Sequence, residues 1–327
     1  MPVPVRRGPQ ELLNELVTIQ ATPGPGQPRA QYRVLALLDQ LAQAGPNALP
    51  AIRQFLASNR DVAYGGNAGR GGSRNALLPP SLRFGLFDVV RQIGGAEAEQ
   101  VLAESLASTG RGVEVTYLTQ LLEELAPGKY RDAALTAARN LLSSGKVSDL
   151  ADRNSLYGVL RQFKDTSYVA TAQANLVQAD GKVDRSALRY LQQSLGEQSL
   201  VVAAQTFADG RVVDPDSKEA LGRVALNFVG ANDQALDLYH KAALDPQLKP
   251  DQRRQLVEDL NQDGLSNARN PTPEDLKIIA NRYALTQTYL QQDYVKNDKV
   301  LNAAFLEANK DLANMLQRAA PKPKPGP

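Results

Sequence analysis

The chain has 327 residues, 43% of them hydrophobic and 22% charged, and a formal net charge of +2. That is a globular composition, long enough for about two ordinary domains or one elongated stack, and too close to neutrality for nucleic acid or an anionic membrane to be the default partner. Zero cysteines and a single histidine, His240, exclude disulfides, thiolate zinc sites, thiol nucleophiles and the common serine–histidine triads, so the chain is read as non-catalytic.

Residues 1–29 read as a proline-rich linker or flexible N-terminus that ends in the loose stretch ATPGPGQPRA, and MPVPVRRGPQ has no hydrophobic h-region, so no export signal is expected in it. No apolar run approaches the roughly 18 residues of a membrane span. The proline-rich ends, MPVPVRRGP and AAPKPKPGP, are of the kind left by a removed leader or a linker, and they favour an extracytoplasmic mature chain over a cytoplasmic one.

From residue 30 the apolar spacing turns helical. Val34, Leu35, Leu38 and Leu41 recur at three and four, Gly45 and Pro46 interrupt, and Leu49, Ile52, Phe55 and Leu56 begin a second stripe. Leu82, Leu86, Val89, Val90 and Ile93 are paired in the same way, across Gly94 and Gly95, with Ala98, Val101, Leu102 and Leu106. A third pair runs from Leu118, Leu121, Leu122 and Leu125, through Pro127 and Gly128, to Tyr130, Ala134, Ala137, Ala138 and Leu141. On these residues, LAQAGPNALPAIRQFL and LRFGLFDVVRQIGGAEAEQVLAESL resemble HEAT-type repeats over residues 30 to 143. The resemblance implies a right-handed stack of hairpins with a concave, protein-binding face.

Between the first two hairpins lies GGNAGRGGSR, Gly65 to Arg74. It can be laid on a phosphate-loop pattern, but Gly72 stands in place of the lysine and the segment follows the helix ending in FLASNR instead of a buried strand. Arginine–glycine segments that hold single-stranded nucleic acid carry interleaved aromatics, and here Tyr64 stands alone. The stretch from Asn59 to Pro80 is therefore expected to be a disordered insertion. A nucleic-acid role through Arg60, Arg70, Arg74 and Arg83 is the disfavoured alternative, marked by binding that falls steeply with salt.

Residues 148–318 read as a second helical domain, followed by a Pro/Lys tail at 319–327. QADGKVDRSAL at 178–188 and FADGRVVDPDSKEAL at 207–221 share an Ala-Asp-Gly-basic-Val turn, with Asp180 and Asp209 aligned, which hints at an internal repeat. EALGRVALNFVGANDQALDLYHKAALDP is similar to one tetratricopeptide hairpin through Ala235, Leu236, Tyr239, Ala242 and the closing Asp-Pro. His240 lies on that helix, where a surface or partly packed histidine is the expectation. Asp214 before Pro215, and Thr272 before Pro273 with Asp275 following, mark helix starts. KNDKVLNAAFLEANKDLANML reads as a final capping helix with a stripe of Val300, Ala304, Leu312 and Leu316.

DLNQDGLSNARN at 259–270 is the one candidate ion site. Side-chain oxygens fall on its first, third, fifth, ninth and twelfth places as Asp259, Asn261, Asp263, Asn267 and Asn270, Gly264 supplies a sharp turn, and Leu265 offers a backbone carbonyl. The run resembles the calcium loops of EF-hand, dockerin and thrombospondin type 3 repeats, which implies Ca²⁺. It departs from them in Asn270 at the glutamate position, in Ser266 at the apolar one, and in Pro271 and Pro273 before the next helix. With only Asp259 and Asp263 charged, binding would be weak, of the kind that suits calcium-rich extracellular fluid. Alternatively these residues simply form a loop, and Arg253 or Arg254 offsets the acids that collect at the end of the QRRQLVEDL helix.

The expected fold is all-α, an α-α superhelix or solenoid of antiparallel helix hairpins. The expected role is a scaffold or adaptor for a protein or peptide partner, with a calcium-stabilised extracytoplasmic module as the alternative.

Overall fold

The computed structural model describes residues 7–20, 27–64 and 78–319. Among them every regular element is helical, and β pairing is confined to two isolated bridges, Ala63 with Ser81 and Val177 with Val183. The chain divides into two compact units, Met1–Thr166 and Ser167–Pro327.

The first unit contains α1 (Pro9–Thr18), α2 (Gln27–Gln43), α3 (Leu49–Ala57), α4 (Leu82–Ile93), α5 (Gly95–Ser108), α6 (Gly112–Leu125), α7 (Arg131–Ser143) and α8 (Leu150–Gln162). Consecutive helices pack on one another from α3 onward, as does α1 on α2, and helices also pack on the next but one: α2 on α4, α4 on α6 and α6 on α8 make one layer, while α1 on α3, α3 on α5 and α5 on α7 make the other. That is stacked hairpin geometry, in which no pair can bury its apolar faces alone. The core is the periodic set seen in sequence, including Val34, Leu38, Leu41, Ile52, Leu86, Val90, Val101, Leu102, Leu118 and Leu122.

Two boundaries differ from expectation. Residues 9–18, placed in a flexible N-terminus, form a helix whose Leu12, Leu13 and Leu16 are buried and whose Glu11 accepts the Gly8 N–H at 3.2 Å. Pro9 is the first residue of this helix, where a missing N–H costs nothing. The break placed at residue 147 moves to Thr166, because α8 buries Leu156, Tyr157, Val159 and Leu160 on α6 and α7.

The second unit contains α9 (Val169–Ala174), α10 (Arg185–Leu195), α11 (Ser199–Phe207), α12 (Pro215–Leu226), α13 (Asp233–Ala243), α14 (Pro250–Glu258), α15 (Pro273–Gln291), α16 (Asp293–Asn297) and α17 (Lys299–Ala319). The layering recurs as α10 on α12 on α14 beside α11 on α13, and α17 closes it against α14 and α15. The closing helix buries Leu301, Ala304, Phe305, Ala308 and Leu312; Val300 and Leu316 of the expected stripe lie at its margins.

A repeated aspartate turn leads into α10, α12 and α14. Asp180, Asp209 and Asp245 each accept the backbone N–H two residues on, from Lys182, Arg211 and Gln247 at 3.1, 2.9 and 2.8 Å. The next residue in each, Val183, Val212 or Leu248, is buried. The third copy uses Asp-Pro where the first two use Asp-Gly, which hides it in sequence. Neighbouring turns are bonded together: the Val183 N–H donates to Ser217 Oγ at 3.0 Å, Lys218 Nζ pairs with Asp245 at 2.8 Å, and Gln252 Nε2 donates to Asp216 at 2.7 Å. Gly181, at φ +79°, packs so closely on the Arg211 carbonyl that a Cβ would collide with it.

Candidate functional site

The segment 259–272 follows α14 and leads into α15. Its first residues, Asp259–Asn261, continue α14 as a tight turn, and Gly264 then reverses the chain at φ +77° against the Asn227 carbonyl, where no side chain fits. What holds this loop is Arg282 of α15, whose side chain is 0% exposed. Its guanidinium donates to four backbone carbonyls, Leu226 at 2.5 Å, Val229 at 2.7 Å, Leu260 at 2.6 Å and Asp263 at 2.7 Å. These lie at or just beyond the C-terminal ends of α12 and α14, where helix carbonyls have no partners of their own and carry partial negative charge. Burial pushes the guanidinium pKa down to about 10, so it stays charged at neutral pH.

Of the residues in the expected calcium loop, the fold brings two together. Asp259 and Asp263 both face the guanidinium of Arg223, from α12, at 2.8 and 3.6 Å. Asn261 Nδ2 donates to Asp311 at 2.9 Å, and its buried Oδ1 has no partner. Leu265 donates its N–H to the Gln262 carbonyl at 3.4 Å. Asn267 Oδ1 accepts the N–H groups of Arg269 and Asn270, and the exposed Asn270 side chain turns to a cleft described below. A calcium ion requires six or more oxygens around one point. Here the carboxylates close on an arginine and Asn267 is filled by amides, so the residues as arranged do not fit the ion. Of the two cations expected to offset the acids at this helix end, Arg254 reaches Glu258 at 3.7 Å, whereas Arg253 pairs with Asp298 at 2.9 Å and it is Arg223 that serves Asp259 and Asp263. Among the described residues no group of three or more His, Cys, Asp or Glu could hold a metal.

Burial, with the neighbouring Asp259 charge, raises the pKa of Asp263 against the pull of Arg223. A carboxyl whose folded pKa is raised favours folding below its ordinary value, and that contribution is lost as pH rises through the folded value, leaving a charge that opposes folding at pH 7. Asp263→Asn should therefore melt at or above the wild-type temperature at neutral pH, by less than about 1 kcal/mol for this half-exposed group, with the difference closing below about pH 4. Millimolar Ca²⁺ added after chelation should move neither midpoint. A rise in wild type alone would return the ion to this loop.

The far end of the loop is held separately. Asp275 accepts from Ser266 Oγ and N at 2.6 and 2.8 Å and from the Thr272 N–H at 2.9 Å, and these bonds hold its carboxyl well below the ordinary range. Ala268–Pro271, Leu276, Met315, Arg318 and Ala319 then enclose a cleft of about 530 Å³ between the loop and the end of α17. A second concavity, of about 250 Å³, lies between α11 and α13 and is lined by Leu200, Val201, Ala204, Phe207, Ala208 and Leu238, among others. Neither was marked in the sequence, because each wall comes from residues distant along the chain.

The chain matches no protein-family model, no curated protein and no solved structure. Function therefore rests on the side chains alone. His240 is exposed, its Nδ1 2.8 Å from the Tyr289 hydroxyl and its ring stacked on the Tyr289 ring. Among the described residues no helix is long and apolar enough to cross a membrane.

In the first unit the arginines proposed as nucleic-acid contacts separate. Arg83 is 1% exposed and makes a bidentate pair with Glu114, 2.8 Å on both arms, so it is withdrawn from that role. Arg60 is exposed, whereas GGNAGRGGSR, with Arg70 and Arg74, lies outside the described residues. The ends of the insertion, expected to be disordered from Asn59 to Pro80, are pinned. Tyr64 is buried with its hydroxyl donating to the Leu16 carbonyl at 3.0 Å, its N–H donates to Pro80, and the Leu82 N–H donates to Val62.

Proposed function

We propose that this chain is a non-catalytic helical-repeat scaffold that binds a protein or peptide partner, in the manner implied by the HEAT-type repeats its first half resembles. The observation that carries the proposal is the groove between α11 and α13. Its lining joins an apolar surface of Leu200, Val201, Ala204, Phe207, Ala208 and Leu238 to a polar edge of Gln205, Gln234, Asp237 and Lys241, and Val201 is 46% exposed. Layered hairpins bury one face of each helix and leave grooves between neighbours in a layer, which suit an apolar helix or extended segment. The buried charges add support, since Arg83, Glu114 and Arg282 are all engaged in bonds that join helices.

The test is selection of a displayed random-peptide library on the purified protein, with Val201→Asp as the groove variant. At least one class of selected peptides is expected to bind wild type at least about tenfold more tightly than the variant, while the melting temperature is unchanged because Val201 is half exposed. Selection that enriches no peptide over an unrelated helical control would overturn the scaffold proposal.

A further inference from the structure

The cleft between residues 268–271 and the end of α17 differs in kind from the groove above. Two guanidinium groups, Arg269 and Arg318, stand in its wall, both exposed and neither bonded to an acid among the described residues. The nearby acids are committed elsewhere: Asp259 and Asp263 to Arg223, Asp275 to Ser266 and Thr272, and Asp311 to Asn261. Glu274, the remaining neighbour in sequence, is not part of the lining. Apart from Asn270, the rest of the lining is aliphatic, made by Ala268, Pro271, Leu276, Met315 and Ala319. The volume, about 530 Å³, is that of a ligand site.

We infer that this cleft takes an acidic peptide segment, with a carboxylate held by Arg269 and Arg318 and an adjacent apolar side chain laid on Pro271, Leu276 and Met315. The inference rests on the scaffold proposal and names the chemistry of one partner. A guanidinium receives a carboxylate through two parallel N–H donors, which gives both strength and direction. A nucleic acid would need stacking surfaces, and no aromatic residue lines the cleft.

The same displayed library tests it, with the double variant Arg269→Glu, Arg318→Glu alongside Val201→Asp. Because neither arginine pairs with an acid among the described residues, the double variant should lose no more than about 1 kcal/mol, the cost of an anion in the last turn of α17. The selection is expected to yield a class of peptides in which Asp or Glu adjoins Leu, Ile or Phe, and whose affinity falls at least about tenfold in the double variant but not in Val201→Asp. Their binding should weaken as salt rises. Peptides that enrich without acidic bias, or acidic ones that bind the double variant equally well, would remove this inference and leave the scaffold proposal standing. A single-stranded oligonucleotide that binds the cleft more tightly than any selected peptide would also remove it. No enrichment on any surface would remove both.

Discussion

Arg282→Met should cost roughly 4 kcal/mol of stability, the largest loss expected from one substitution in the second unit. The side chain is fully buried and donates to four backbone carbonyls, at Leu226, Val229, Leu260 and Asp263. Methionine keeps the aliphatic stem and removes every donor, so four carbonyls at the ends of two helices lose their partners, three of them buried and the fourth, at Asp263, part-buried. Each such orphan costs about 1–3 kcal/mol. Removal of a costly buried charge, evident in the depressed pKa of Arg282, offsets part of this. Urea unfolding followed by circular dichroism measures the loss, and hydrogen exchange should show protection falling first in α12, α14 and the 259–272 loop. A loss below about 1 kcal/mol would mean that those carbonyls find other donors.

The same arginine shows where the sequence stopped being readable. The core face of α15 is Asp275, Ile279, Arg282, Thr286 and Tyr289, which has helical spacing but little apolar character. By contrast α4, α5 and α6 carry leucine and valine at three and four, and their positions were legible. Helix α1 was missed for a different reason. Its Leu12, Leu13 and Leu16 make a clear stripe, but prolines on both sides suggested a linker. In the 259–270 loop, spacing correctly located a sharp turn at Gly264 and a pair of acids in need of a cation. Spacing along the chain carries no information about α12, which brings Arg223 to those acids from more than thirty residues upstream. The repeated turn was read in two copies out of three, because the Asp245 copy keeps the hydrogen-bond pattern and changes the letters.

Both units thus place a buried arginine on helix ends. In the second, the guanidinium serves carbonyls alone; in the first, Arg83 serves the Leu56 carbonyl at the end of α3 and an acid on α6. Glu114 shares its helix face with Leu118 and Leu122, so a charge at that position in the sequence signals either a buried pair or a misplaced stripe. The observed pair resolves it. The difference between the two hubs is testable, since a pair can be removed as a pair and carbonyls cannot.

Glu114→Leu alone should destabilise the first unit by about 3–5 kcal/mol, and Arg83→Met with Glu114→Leu should recover part of that loss. Glu114 accepts both arms of Arg83, Arg111 at 2.7 Å and Thr109 Oγ1 at 2.7 Å, and is 0% exposed. Truncating the acid strands a buried guanidinium that only the Leu56 carbonyl still serves, whereas replacing both partners removes that stranded charge and leaves only neutral groups, the Leu56 carbonyl and the Thr109 hydroxyl, without a buried partner. Burial pushes the Glu114 carboxyl up, but hydrogen bonds from Arg83, Arg111 and Thr109 outweigh it and hold the pKa below the ordinary range. A depressed carboxyl contributes stability that is complete above the unfolded-state value, about 4.3, and lost as pH falls through the folded-state value. Wild type should therefore lose stability more steeply than the double variant as pH drops below about 4. Urea midpoints at neutral and acid pH measure both effects. Equal acid slopes in the two proteins, or a double variant as unstable as Glu114→Leu, would show that the pair contributes nothing its bulk does not.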